Sequence, residues 1–263
     1  MSVLDTALAP LELALSYVLV TAHATLAGLP VTVSPGVAWA ASIAVLVVGV
    51  RLALLPLVVR QVRAGRRLAA AGPALKDIRD RYRGRRDAKA VADMRAETAR
   101  VYAEAGVSPF TGLPLLLQAP VLFSLYRVLN GVAHGQAVGV LGATLAAQLD
   151  GATLAGAGLT QTVLAGGPAA VVAVALVLVM AGTLWLAQHR QLTRNTPPAA
   201  LEGTAGTAAR ATRWVLPGVA LLSGLTLPIG MLVYLACANT LSLLQQLAVI
   251  RWLPTPGSPA AAR

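Results

Sequence analysis

The chain alternates long apolar stretches with polar segments, and the length of each stretch indicates the solvent around it. Residues 37–59 are apolar apart from Arg51, and residues 110–130 and 168–189 are two further, largely apolar runs. A helix needs about 20 apolar residues, each rising about 1.5 Å, to cross the hydrocarbon core of a bilayer. Each of these runs is therefore predicted to be a membrane-spanning helix.

The last apolar stretch is too long for a single crossing. Residues 214–250 are 37 consecutive residues without a charge, and Leu227–Gly230 in the middle reads Leu-Pro-Ile-Gly. Proline and glycine interrupt helices, which predicts a turn at this point. The stretch is accordingly divided into two spans, residues 208–226 and 229–249.

Two segments differ from this pattern. In residues 1–36 the apolar positions recur at steps of three and four around Asp5, Glu12 and His23, which predicts a helix lying in the membrane interface. Residues 131–167 contain nine glycines and a single charge. This second segment is predicted to be a loop with short interfacial helices.

Residues 60–108 are the most polar part of the chain, with 13 Lys and Arg against 6 Asp and Glu. Apolar residues repeat at heptad spacing on either side of Gly84, which predicts two short helices pairing in antiparallel. Gly106 and Pro109 supply the signal that ends the second helix. The segment is therefore predicted to be a basic helical hairpin in water.

The distribution of positive charge predicts the orientation. Of 21 Lys and Arg residues, 13 lie in the hairpin and four in residues 190–213, whereas residues 1–36 and 131–167 have none. Because positive residues are retained in the cytoplasm, the N-terminus is placed outside. The hairpin, the 190–207 loop and the 250–263 tail are placed in the cytoplasm, and five spans satisfy this alternation.

Composition agrees with this division. The chain is 57% hydrophobic and 12% charged, against about 25% charged residues in an average soluble domain. The predicted fold class is an all-α integral membrane protein with five transmembrane helices, a cytoplasmic helical hairpin and an N-terminal interfacial helix.

Arg51 is the clearest candidate for a functional residue. Its Cα lies about eight residues, or about 12 Å, from the cytoplasmic end of its span, which is too deep for simple snorkelling. One interpretation is a structural arginine that pairs with carbonyl groups or a carboxylate of a neighbouring helix. The predicted spans contain no Asp or Glu, which favours the other interpretation, a water-filled cavity around the guanidinium.

Other polar residues are predicted to lie at depth. Gln118 lies in the second span, and Tyr234 and Gln245 share one helical face of the fifth span. Together with Arg51 they are interpreted as the lining of a wet groove. Arg127 lies near the outer end of the second span and is predicted to reach the headgroups.

The sequence contains no pattern typical of an enzyme. His23, His134 and His189 are isolated, and no Ser-His-Asp set, metal-ligand spacing or phosphate-binding loop is present. The chain is predicted not to be an enzyme and to require no cofactor.

Three segments resemble the YidC family of membrane protein insertases. They are VRLALLPL at Val50–Leu57, GVSPFTGLPLLLQAPVLFSLYRVL at Gly106–Leu129, and LPIGMLVYLACANTLSLLQQLAVIRWL at Leu227–Leu253. They occur in the family's order, and the resemblance extends over residues 37–253. The short N-terminal region resembles the compact form of Gram-positive bacteria, and the Ala and Arg bias indicates an actinobacterial type.

The resemblance implies a fold and a set of site residues. It implies five helices around a hydrophilic groove that opens to the cytoplasm and to lipid and is closed to the outside. Arg51 matches the family's groove arginine. Gln118, Leu122 and Tyr234 match positions that line the groove or contact substrate.

The resemblance also implies a function and partners. The protein would insert and help to fold nascent membrane proteins in the bacterial plasma membrane, independently of the Sec translocon or with it. The hairpin and tail would bind the ribosome, the translocon or anionic lipids, and the protein would function as a monomer. A small transporter or channel using the same groove, and a structural assembly factor, are the alternatives. The order of the three segments and the lack of intramembrane carboxylates favour an insertase over a transporter.

Overall fold

A computed structural model describes residues 3–28, 34–85, 87–106, 120, 123–124, 126–128, 130–131, 140 and 142–262. Gln118 and Leu122 lie outside these residues. The part of the chain that is described is almost entirely helical, with one small antiparallel sheet. The protein is an all-α integral membrane protein, as the sequence predicts.

The helices with described ends are, in chain order, α1 Val3–Ala27, α2 Pro35–Ala70, α3 Gly72–Arg81, α4 Ala88–Glu104, α5 Ala143–Asp150, α6 Gly167–Arg194, α7 Gly203–Ser223 and α8 Ile229–Trp252. The sheet consists of β1 Thr153–Leu154 and β2 Ala157–Gly158, and two short 3-10 helices cover Val163–Ala165 and Pro198–Leu201. The described residues between 120 and 131 are also helical.

Among the described residues, α1, α2, α6 and α8 contain stretches long and apolar enough to cross a membrane. In α1 this stretch is Ala9–Ala27, so length and hydropathy alone admit a crossing as well as the predicted interfacial position. Helix α2 continues beyond residue 59 into the basic segment and ends at Ala70. Arginine is a good helix former, so the predicted passage from lipid to water near residue 59 does not end the helix.

The chain forms two compact units. The first comprises residues 1–53, 115–186 and 214–243, and the second comprises residues 54–114, 187–213 and 244–263. In the first unit, Trp39, Ile43 and Leu46 recur at helical spacing along α2 and are at most 1% exposed. The core of this unit therefore lies along one face of α2.

The residues that follow the β1–β2 hairpin cap the N-terminus of α8. The backbone N–H groups of Ile229 and Gly230 donate to the carbonyl oxygens of Gln161 and Leu159, each at 2.8 Å. A helix leaves its first four N–H groups without intrahelical partners, and here backbone carbonyls satisfy two of them. Leu159 and Ile229 are at most 1% exposed, so this end of α8 is packed as well as capped.

A glycine allows α2 to approach the same hairpin. Gly36 is buried, and a Cβ atom built at this position would overlap the backbone carbonyl of Thr153. The main chains of α2 and β1 are therefore in direct contact, which only glycine permits.

Helix α1 contacts the rest of the first unit through polar and aromatic side chains. Arg127 Nε lies 2.8 Å from Glu12 Oε1, and the N–H of Val140 donates to Ser16 Oγ at 3.2 Å. The rings of His23 and Trp39 stack with centroids 3.8 Å apart. Arg127 therefore has a carboxylate partner, which the sequence interpretation of simple headgroup contact did not include.

Glu12→Gln is expected to lower the free energy of unfolding by about 1 kcal/mol, because it removes a charged partner from a largely shielded ion pair. The side chains of Glu12 and Arg127 are 12% and 35% exposed. Thermal unfolding of the detergent-solubilised protein measures the change. Glu202→Gln is the matched control, since the Lys76–Glu202 pair is 3.5 Å long and 65% exposed on the Glu202 side. An equal effect of both substitutions would contradict a special role for Glu12.

In the second unit, α3 and α4 pair as the helical hairpin. Ile78 and Ala90 are buried, and Gly84, with φ +84°, lies in the turn between the helices. Tyr82 Oη donates to Glu97 Oε1 at 2.9 Å, and Arg81 Nη1 lies 3.1 Å from Glu97 Oε2. The hydrogen bond to this carboxylate raises the pKa of Tyr82, so the hydroxyl remains a donor at neutral pH.

The C-terminal tail of the second unit packs against the connection between α6 and α7. Asn195 Oδ1 accepts a hydrogen bond from the backbone N–H of Thr255 at 2.8 Å, and Ala260 N–H donates to the carbonyl of Arg194 at 2.9 Å. Gln246 Nε2 donates to Gln191 Oε1 at 2.9 Å. The predicted 250–263 tail is thus held at Thr255 and Ala260 by hydrogen bonds to Asn195 and Arg194.

Candidate functional site

Arg51 of α2 donates to α8 inside the first unit. Its Nη2 group donates to the backbone carbonyl of Ala238 at 3.0 Å and to Ser242 Oγ at 2.6 Å. The Ser242 hydroxyl in turn donates to the same Ala238 carbonyl at 2.7 Å. Of the two interpretations of Arg51, pairing with a carbonyl of a neighbouring helix is therefore present in the structure.

These contacts stabilise the charge without neutralising it. A cation within a span costs at least about 2.5–3.5 kcal/mol on insertion scales, and hydrogen bonds involving a charged group contribute about 1.5–3 kcal/mol each. Two such bonds are of the size needed to offset the cost. Within the described part of the chain, the salt bridges do not include Arg51, so the site keeps its positive charge.

Tyr234, Ala238 and Ser242 follow at steps of four residues and so share one face of α8. Tyr234 is 2% exposed and Ala238 is 1% exposed, and both belong to the core of the first unit. The face of α8 that contacts Arg51 is therefore buried around Tyr234 and Ala238. A substrate segment would reach the Tyr234 side chain only after neighbouring groups move.

The structure describes three of the five predicted site residues. Arg51 and Tyr234 lie in the first unit, whereas Gln245 is partly exposed and belongs to the second. Gln118 and Leu122 lie outside the described residues, so their place in the site stays a prediction.

Ser242 is a site residue that the sequence interpretation missed. The hydroxyl of a serine in a helix commonly donates to the carbonyl four residues earlier. A single serine in an apolar span therefore does not by itself indicate a functional site. The available signal is its register, because Ser242 lies eight residues after Tyr234 on the same helical face.

A family model described as the 60Kd inner membrane protein matches residues 31–256. A membrane protein insertase YidC of Streptomyces avermitilis is 32% identical over 250 residues, which cover 86% of this chain and 54% of that protein. The chain thus spans about half the length of this relative.

Two further relatives are matched over more of their length. A membrane protein insertase YidC of Bifidobacterium longum is 32% identical over 240 residues, 88% of this chain and 71% of that protein. A membrane protein insertase YidC of Tropheryma whipplei is 29% identical over 271 residues, 98% of this chain and 87% of that protein. The residues matched by the family model include both Arg51 and Ser242.

Proposed function

Because the chain belongs to the 60Kd inner membrane protein family, which includes the YidC membrane protein insertases, we propose that it inserts nascent membrane proteins and helps them to fold. The names of its relatives support this activity, and the location in a bacterial membrane agrees with its apolar helices. The observation that carries the proposal is Arg51, a cation held in the first unit by neutral acceptors of α8.

In the proposed mechanism, a short hydrophilic segment of the nascent chain enters a groove that opens to the cytoplasm. Arg51 attracts acidic residues of that segment, while Gln118, Leu122 and Tyr234 contribute to the lining. Arg51 lowers the free-energy cost of moving a carboxylate across the bilayer, because the carboxylate would otherwise have no countercharge in lipid.

The driving force in this proposal is partitioning of the substrate, with no nucleotide and no cofactor. A substrate span of about 20 apolar residues is stabilised in the bilayer once its polar end has crossed. The protein lowers the barrier to that crossing and is unchanged at the end. The same step serves substrates that arrive alone and substrates that arrive with the Sec translocon.

The basic hairpin is the proposed contact for ribosomes, the translocon and anionic headgroups. Each Lys or Arg near an anionic lipid surface contributes about 1 kcal/mol, and residues 60–108 carry a local excess of positive charge. The N-terminus is proposed to lie outside and the C-terminus in the cytoplasm, with a monomer as the functional unit.

A photoreactive residue at Leu122 or Tyr234 is expected to crosslink to ribosomes stalled on a short single-span membrane protein. The adduct should form with the apolar span of the nascent chain, because we propose that this span slides along the second and fifth predicted spans into lipid while the hydrophilic segment occupies the groove. Gel analysis of the radiolabelled nascent chain measures the yield. Leu178 is the matched control, an apolar residue of α6 that is 60% exposed and not assigned to the groove. Yields at both test positions no higher than at Leu178 would contradict the proposal.

A further inference from the structure

The Nη2 group of Arg51 is engaged by α8. This group carries two hydrogens and has two acceptors, the Ala238 carbonyl at 3.0 Å and Ser242 Oγ at 2.6 Å. Ser242 uses its own hydrogen to bond the Ala238 carbonyl at 2.7 Å, so its oxygen faces Arg51 as an acceptor. The serine hydroxyl is thus oriented by the helix that carries it.

A guanidinium binds a carboxylate most strongly through two parallel N–H groups. Two such pairs exist in an arginine, Nε with Nη2 and Nη1 with Nη2, because these are the pairs that point in a common direction. Both pairs include Nη2. While Nη2 donates to α8, each of these pairs therefore has to compete with the Ala238 carbonyl and Ser242 Oγ for Nη2.

We propose that Ser242 is a positioning residue that holds Arg51 in a resting arrangement, and that two-point capture of a substrate carboxylate competes with α8 for the N–H groups of Nη2. This inference rests on the proposed function, in which Arg51 attracts acidic residues of the nascent chain. The Ala238 carbonyl is part of the backbone, so the serine hydroxyl is the component of the restraint that a side chain supplies. Ser242 thereby determines how strongly a substrate carboxylate must bind Arg51 in order to replace the serine oxygen.

The resting arrangement has a physical benefit for an empty groove. An arginine without acceptors at this depth would carry the full cost of a cation within a span. The two acceptors reduce that cost when no substrate is present. Because both are neutral, a charged carboxylate binds the guanidinium more strongly and can replace them. The site therefore discriminates in favour of charged ligands over neutral polar ones.

The test uses the full-length protein and stalled nascent chains with a photoreactive residue next to an aspartate in the translocated tail. A second nascent chain carries Asn in place of that aspartate. The ratio of acidic to neutral crosslinking yield is measured for the unmodified protein and for Ser242→Ala. The ratio is expected to rise about fivefold in Ser242→Ala, the equilibrium equivalent of one net hydrogen bond.

Three further variants make the result specific. Ser242→Thr retains an acceptor and should return the ratio toward that of the unmodified protein. Thr240→Ala is the matched control, because Thr240 Oγ1 donates to the Ala236 carbonyl at 2.8 Å on the same helix and has no bond to Arg51 among the described contacts. Ser242→Cys keeps the volume and weakens the acceptor, and it replaces Ser242→Ala if the alanine variant does not accumulate.

A ratio in Ser242→Ala equal to or lower than that in Thr240→Ala would overturn the inference. Arg51→Ala separates this failure from a failure of the proposed function. If Arg51→Ala lowers the ratio and Ser242→Ala does not raise it, only the restraint by Ser242 is wrong. If Arg51→Ala leaves the ratio unchanged, the role of Arg51 in binding acidic segments is wrong as well.

Discussion

Arg51→Ala is expected to reduce insertion of a substrate with an acidic translocated tail by about tenfold, which corresponds to about 1.4 kcal/mol. The attraction between two unit charges about 4 Å apart is about 4 kcal/mol in a partly shielded site, and desolvation of the carboxylate cancels part of it. Protease protection of the translocated tail in proteoliposomes measures insertion. Arg51→Lys should give an intermediate result, because lysine keeps the charge and loses the two-point geometry.

The control for net charge is Arg63→Ala, which removes an exposed cation from the same helix. This variant should insert the acidic-tail substrate at the level of the unmodified protein. Insertion by both Arg51 variants at that same level would show that the arginine has only a structural role.

Gly36→Ala is expected to destabilise the protein by about 3 kcal/mol or more, the upper part of the range for overpacking. The added Cβ would overlap the Thr153 carbonyl, and a backbone atom cannot rotate away as a side chain can. The β1–β2 hairpin would have to move, and with it the carbonyls that cap α8. The midpoint of thermal unfolding in detergent measures the effect, together with the amount of monodisperse protein.

Gly49→Ala is the matched control on the same helix. A Cβ at Gly49 has no neighbouring heavy atom within 4 Å, and alanine favours a helix over glycine by about 0.5–1 kcal/mol. Its unfolding midpoint should be unchanged or higher. Equal midpoints for Gly36→Ala and the unmodified protein would show that the close approach of α2 to β1 is not essential.

The predictable part of the fold is the part determined by residue composition over long windows. The apolar runs that contain α6 and α8 are recognisable because crossing a bilayer requires a minimum apolar length. The depth of Arg51 follows from counting residues along its helix. The end of α2 at Ala70 was not predictable from the charge boundary near residue 60, because arginine is as good a helix former as leucine.

The partners of the charged residues were harder to predict, because they depend on packing between distant segments. Glu12 and Arg127 were assigned to different regions, and hydropathy carries no information about which regions meet. Ser242 was not predicted for a related reason. Its hydroxyl donates to a carbonyl of its own helix, so the sequence gives no indication that it needs a partner elsewhere. Only the position of α2 beside α8 shows that its oxygen also accepts from Arg51.

The cap on α8 has a consequence for the order in which the chain matures. The carbonyls of Leu159 and Gln161 that complete the first turn of α8 belong to a segment synthesised well before that helix. During synthesis these two acceptors therefore leave the ribosome before the N–H groups of Ile229 and Gly230 that they bind. The first turn of α8 is completed by backbone groups as well as by packed side chains, so a change of loop length that displaces these carbonyls should weaken its docking.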